Sequence, residues 1–161
     1  MTVLDVVTDA EELTVTVTAE FAAPVQRVWQ VWADRRELAR WWGPPDGSTT
    51  FEQHDFRPGG QARYRTTRPD GSESRGWWQI SAIDEPHRLE FEDGVTVENG
   101  VRATCFGVTH VRITLEPAEG RTRMVLLSSF SSVDQLDQMV SAGVAEGLRR
   151  KVERIEAVLP A

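Results

Sequence analysis

The sequence predicts an α+β domain in which a curved antiparallel sheet of about seven strands wraps around a long C-terminal helix, with two short helices after the first strand. Three observations carry this. The run LTVTVTAEF at 13–21 alternates branched apolar and hydroxyl residues with the period of a half-buried strand. Strand-like runs then follow one another across turn signals too short for parallel crossovers. Finally, Leu136, Met139, Val140, Gly143, Val144, Gly147, Leu148, Val152, Ile155 and Leu159 repeat at three and four, the spacing of an amphipathic helix of about seven turns.

Each element has its own local cause. Pro24 ends the first strand and suits a first helical position, after which Val25, Val28, Trp29 and Trp32 recur at helical spacing. Asp34 with Glu37 forms a capping box for a second short helix, which Gly43, Pro44 and Pro45 end. Turns at Pro58-Gly59-Gly60, Pro69-Asp70-Gly71, Asp84-Glu85-Pro86, Asn99-Gly100 and Glu119-Gly120 bound strands near 49–57, 60–68, 73–84, 87–93, 104–116 and 121–130. The stretch 94–103 either extends a hairpin or loops over the sheet edge. Ser132 and Gln135 form a further capping box before the final helix. Arg149, Arg150, Lys151 and Arg154 are interleaved with Glu146, Glu153 and Glu156, which reads as a solvated helix face.

Composition narrows the class. A chain of 161 residues suffices for one domain spanning its whole length and buries roughly 70% of its unfolded surface without staples. The single cysteine, Cys105, has no internal disulfide partner, and Asp5, Asp9, Glu11 and Glu12 occupy the place of a signal peptide's apolar run, so a cytoplasmic location is expected. A net charge of -7 argues against nucleic acid, and the sequence holds no run long enough for a membrane span. No metal-ligand spacing, P-loop, dinucleotide fingerprint or nucleophile elbow occurs, so no cofactor, metal or catalytic constellation is expected.

The motifs Phe21-Ala22-Ala23-Pro24 leading to Val28-Trp29, then Leu38 to Pro44, then Asp55-Phe56-Arg57-Pro58-Gly59-Gly60 occur in a telling order. With Gly76, Pro86, Arg88-Leu89, Phe91, Thr122-Arg123 and the Gly143 to Leu148 spacing, the chain resembles the family related to the C-terminal domain of the Hsp90 ATPase activator, within the START-like superfamily. The resemblance covers nearly the whole chain and implies a helix-grip fold. It also implies two departures: Val144 stands where relatives usually carry tryptophan, and Ala62 where they carry an aromatic. Both remove volume between sheet and helix.

The expected function is therefore binding of a small hydrophobic or aromatic molecule in a cavity between sheet and C-terminal helix, with no catalysis required. Strand parity and the helix stripe nominate Phe56, Tyr64, Trp78, Phe91 and Phe106 as aromatic walls, with Met139, Gly143 and Gly147 opposite. His110, like His54, lies in a strand and faces either the cavity or solvent. The wider superfamily implies a second reading, an enzyme of the cyclase or hydrolase type for an aromatic or polyketide-like substrate, which needs one of these histidines inside. A chaperone-partner role ranks third. Six tryptophans fall in three pairs, Trp29 and Trp32, Trp41 and Trp42, Trp77 and Trp78; of the last pair, only Trp78 faces the cavity by parity.

Overall fold

A computed structural model describes residues 3–43, 46–96 and 108–159. The order of elements is β1 (Val3–Asp9), β2 (Thr14–Phe21), α1 (Val25–Ala33), α2 (Arg35–Trp41), β3 (Ser48–His54), β4 (Gln61–Thr67), β5 (Glu73–Asp84), β6 (Arg88–Thr96), β7 (Thr109–Ala118), β8 (Arg121–Ser129), α3 (Val133–Ser141) and α4 (Val144–Val158). The strands form one eight-stranded sheet in the order β1-β2-β8-β7-β6-β5-β4-β3. All its pairings are antiparallel.

The sheet has one strand more than predicted. β1 is an edge strand whose Val3 is buried while Leu4 and Val7 stay 50% and 46% exposed, so no clean alternation marks it. Asp9 folds the chain back by accepting hydrogen bonds from the Glu11 and Glu12 amides at 2.9 and 3.1 Å. β2 alternates buried and half-buried residues along its whole length, as the period-two pattern requires.

The two short helices cover one end of the sheet. α1 buries Val28, Trp29, Val31 and Trp32. Asp34 then caps α2, its carboxylate accepting from the Arg36 and Glu37 amides. Glu37 does not return the contact as a capping box would; it pairs with Arg27 at 2.7 Å. Arg27 also donates to the Val158 and Leu159 carbonyls, so one guanidinium ties α1, α2 and the last turn of α4 together. At the other end of α2, Arg154 donates to the carbonyls of Arg40 and Gly43. This replaces the predicted solvated cluster: only Arg149 and Arg150 stand on the exposed face, paired with Glu153 and Glu146.

The predicted single C-terminal helix is two helices. Gly143 has φ 88° and ψ 27°, a left-handed conformation that suits glycine and breaks the helix between α3 and α4. The apolar spacing stays in phase across the break, which is why periodicity alone reads as continuous. Ser132 caps α3 through the Gln135 amide at 3.0 Å. α4 lies against β1, β2 and α2, and its Val152, Ile155 and Val158 join a core built on the inner face of the sheet with α1 and α2. A second, smaller cluster gathers Val15, Phe130 and Leu136.

Candidate functional site

Opposite α4, strands β4, β5 and β6 carry an aromatic wall. Tyr64, Trp78 and Phe91 all project inward, because each shares parity with buried neighbours on its strand. Trp78 stacks on Phe91 with ring centroids 4.0 Å apart and an interplanar angle of 17°. Trp42, at the end of α2, meets Trp78 edge-on at 5.0 Å and Tyr64 at 6.1 Å. Trp32 and Phe51 close the cluster, 6.3 and 5.7 Å from Trp78. Gly76 permits this layout: it is the cross-strand partner of Tyr64, and an added Cβ would collide with the phenol ring.

Three polar groups meet beneath this wall. The Tyr64 hydroxyl donates to Asp93 at 3.1 Å. Lys151, from α4, places its ammonium 4.0 Å from the centroid of the Trp42 ring. Desolvation raises Asp93 to about 6, opposed by the nearby Lys151 charge and the Tyr64 and Gly94 hydrogen bonds. Desolvation also lowers Lys151, partly offset by Asp93, and raises the Tyr64 phenol well above its ordinary value, with Asp93 acting in the same direction. All three groups are surrounded by protein, yet their residues lose only part of their accessible surface. The three groups sit at the edge of the aromatic cluster, where water reaches them.

The site is rich in donors. The buried indole N–H groups of Trp32, Trp42 and Trp78 have no hydrogen-bond partner among the described residues, although the Trp42 indole lies near enough to the Tyr64 oxygen to favour its phenolate slightly. By contrast Trp41 donates to the Val31 carbonyl at 2.9 Å and Trp29 to Glu85 at 3.1 Å. His54 borders the cluster between Phe51, Phe56 and Trp78. Neither of its ring nitrogens makes a hydrogen bond of ordinary geometry, though the Trp32 and Ala33 backbone lies close enough to oppose the shift. Desolvation prevails and holds the imidazole below its usual 6.5.

The expected residues divide accordingly. Tyr64, Trp78 and Phe91 come together, and Phe56 packs one step away, edge-on to Trp29 at 5.6 Å. Phe106 lies outside the described residues, as do Cys105, Pro44, Pro45 and most of 94–103. His110 is on the outer sheet face, 42% exposed and 3.2 Å from Glu90, because Val111 and Ile113 take the inward parity. Met139 packs in the second cluster under α3. Gly143 and Gly147 are exposed, with open space where a Cβ would stand, so they shape the helix and do not face the aromatic cluster. The room beside Ala62 is taken by its cross-strand partners His54 and Trp78, whose rings approach to 6.0 Å.

Lys151 and Asp93 were not among the sequence candidates, although each carried a signal. Asp93 stands two residues after Phe91 and shares its face. Lys151 stands three after Leu148 and four before Ile155, inside the apolar stripe. Trp77, on the opposite parity to Trp78, is buried but outside the main core. Open depressions of about 360 and 470 Å³ lie at the β7–β8 turn, remote from this cluster. Among the described residues no cluster of three or more His, Cys, Asp or Glu is placed to hold a metal, and no helix is long and apolar enough to cross a membrane.

Comparison with known proteins agrees with this architecture. A solution NMR structure of a protein from Arthrobacter aurescens is 48% identical with a TM-score of 0.95, covering 99% of this chain and 92% of that one. A crystal structure of a protein from Mycobacterium smegmatis is 42% identical with a TM-score of 0.89, covering 98% and 96%. At 19% identity, a Silicibacter pomeroyi protein shares the fold with a TM-score of 0.72, covering 91% and 97%. No functionally curated protein matches at a significant level. The family profile of the Activator of Hsp90 ATPase homolog 1-like protein matches residues 22–160. The chain belongs to that family, within the START-like superfamily.

Proposed function

We propose that a recess between β4–β6 and α4 binds a small apolar or aromatic molecule. The observation that carries this reading is the coincidence of an aromatic wall with buried donors that no described residue satisfies. A buried unsatisfied donor costs about 1–3 kcal/mol, and a core selected for stability alone leaves few. Trp32 and Trp78 are two such donors in one cluster, with the Trp42 indole facing only the Tyr64 oxygen. Aromatic walls with a few fixed polar groups are the usual composition of a small-molecule site.

The test is titration with a panel of apolar and aromatic ligands, following tryptophan fluorescence and the chemical shifts of the Trp78 and Trp42 indoles. Saturable shifts at these indoles are expected, and Phe91→Ala should alter the affinity by removing the ring stacked on Trp78. A panel that leaves both indoles unmoved refutes the reading.

One observation favours a second, enzymatic reading. His54 lies on the inner face, held below its ordinary pKa by desolvation, so it is neutral and able to accept a proton near pH 7. Turnover of an aromatic or polyketide-like substrate that is lost in His54→Phe while ligand binding survives would select this reading over simple binding.

A further inference from the structure

The polar end of the recess carries an imbalance of charge and hydrogen-bonding capacity. Its donors are the Lys151 ammonium and the Trp78 indole, neither of which has a hydrogen bond or ion pair among the described residues, with the Trp42 indole directed toward the Tyr64 oxygen. Its charged acceptor, Asp93, already receives the Tyr64 hydroxyl at 3.1 Å and the Gly94 amide. The Lys151 ammonium therefore rests on a ring face with no oxygen of the described residues at hydrogen-bonding distance. An ammonium has three donors and no acceptor, so Lys151, resting on the Trp42 ring face, keeps donors for water or a bound acceptor.

The charges facing Lys151 are Asp93 from β6 and Arg154 from its own helix, with the neutral Tyr64 phenol on β4. Arg154 spends its donors on the uncharged carbonyls of Arg40 and Gly43. Among the described residues two cations thus stand against one carboxylate, a surplus of one positive charge in an environment that strengthens Coulomb interactions.

We propose that the molecule bound in this recess is a carboxylate with an aromatic or apolar body, its anionic head paired with Lys151 and its body stacked on the Trp42, Trp78 and Phe91 wall. This inference rests on the binding function proposed above and specifies its ligand class. A carboxylate supplies the acceptors that the site lacks, and its charge-assisted bond to an ammonium is stronger than a neutral one. Asp93 is the internal competitor. An arriving anion repels its ionised form, so the ligand binds with uptake of a proton by Asp93. Because Asp93 sits at about 6 in the free protein, affinity for a fully ionised carboxylate rises as the pH falls from about 7.5 through about 6.

The experiment compares benzoate, 1-naphthoate and decanoate with their primary amides, by calorimetry and chemical shifts, in wild type, Lys151→Met and Asp93→Asn. In wild type the best carboxylate should bind about tenfold tighter than its amide, the equivalent of one charge-assisted hydrogen bond. Lys151→Met should erase that preference while the amide still binds. Asp93→Asn should tighten carboxylate binding and flatten its pH dependence. Should Lys151→Met fail to fold, the carboxylate-to-amide ratio between about pH 7.5 and pH 5.5, measured in wild type and in His54→Leu, serves as the test, since growth of the ratio that survives loss of His54 comes from Asp93. Equal binding of acid and amide at both pH values, or a preference that survives loss of Lys151, overturns the counter-ion role and leaves apolar binding standing. Absence of binding by every acid and amide overturns both.

Discussion

Gly143 and Gly147 stand one turn apart in the same apolar stripe, and replacing each with alanine should move stability in opposite directions. At Gly143 the backbone is left-handed, φ 88°, where an alanine costs about 1–2 kcal/mol. Reduced freedom of the unfolded chain returns about 0.4–1 kcal/mol. The net loss is about 1 kcal/mol. At Gly147 the backbone is helical, a Cβ would meet nothing within 4 Å, and alanine gains about 1 kcal/mol of helix propensity. For a chain of 161 residues, the usual entropy of unfolding converts 1 kcal/mol into about 3 °C. Gly147→Ala should therefore melt about 3 °C above wild type and Gly143→Ala about 3 °C below it, a separation of about 6 °C. Thermal unfolding followed by far-UV circular dichroism measures both. An alanine at 143 that stabilises as much as one at 147 would show that α3 and α4 gain from fusing, and the reasoning from the left-handed break would be wrong.

Asp34→Ala removes the acceptor for the Arg36 and Glu37 amides and should lower stability by about 1 kcal/mol, seen as a lower urea midpoint with an unchanged slope; no change would mean the cap is replaced by water. The His54 imidazole should titrate below 6.5 in an NMR pH series, because desolvation outweighs the opposing backbone contacts. Its folded state then binds fewer protons than the unfolded chain, so its contribution to stability is full above about 6.5 and is lost as the pH falls. Comparison with His54→Leu isolates that slope, and parallel pH profiles for the two proteins would sink the assignment.

Much of the fold was legible because its signals are local. The alternation in β2, the turn dipeptides, the caps at Asp34 and Ser132 and the apolar face of α4 depend on neighbours a few residues away. β1 was not legible: its partner is β2, and the exposure of Leu4 and Val7 erases the alternation that would have announced it. The helix break at Gly143 was hidden for a different reason, since a left-handed residue leaves the apolar spacing on either side intact. At the candidate site, parity placed Tyr64, Trp78 and Phe91 on one face, whereas a strand histidine such as His110 could not be assigned a side until its neighbours' burial was known.

Sequence alone determined the class of fold, the position of its turns and caps, the family and the inward face of the aromatic strands, because these rest on periodicity, turn chemistry and motif order. Tertiary structure decided which charged residues turn inward. Lys151 belongs by composition to a basic, solvated helix face and by geometry to the interior, over Trp42 and facing Asp93. The two residues are separated by most of the second half of the chain, and their meeting depends on where α4 lies against the sheet. That position is held by long-range contacts, Arg27 joining α1 and α2 to the last turn of α4 and Arg154 joining α4 to the end of α2, and no local pattern encodes it.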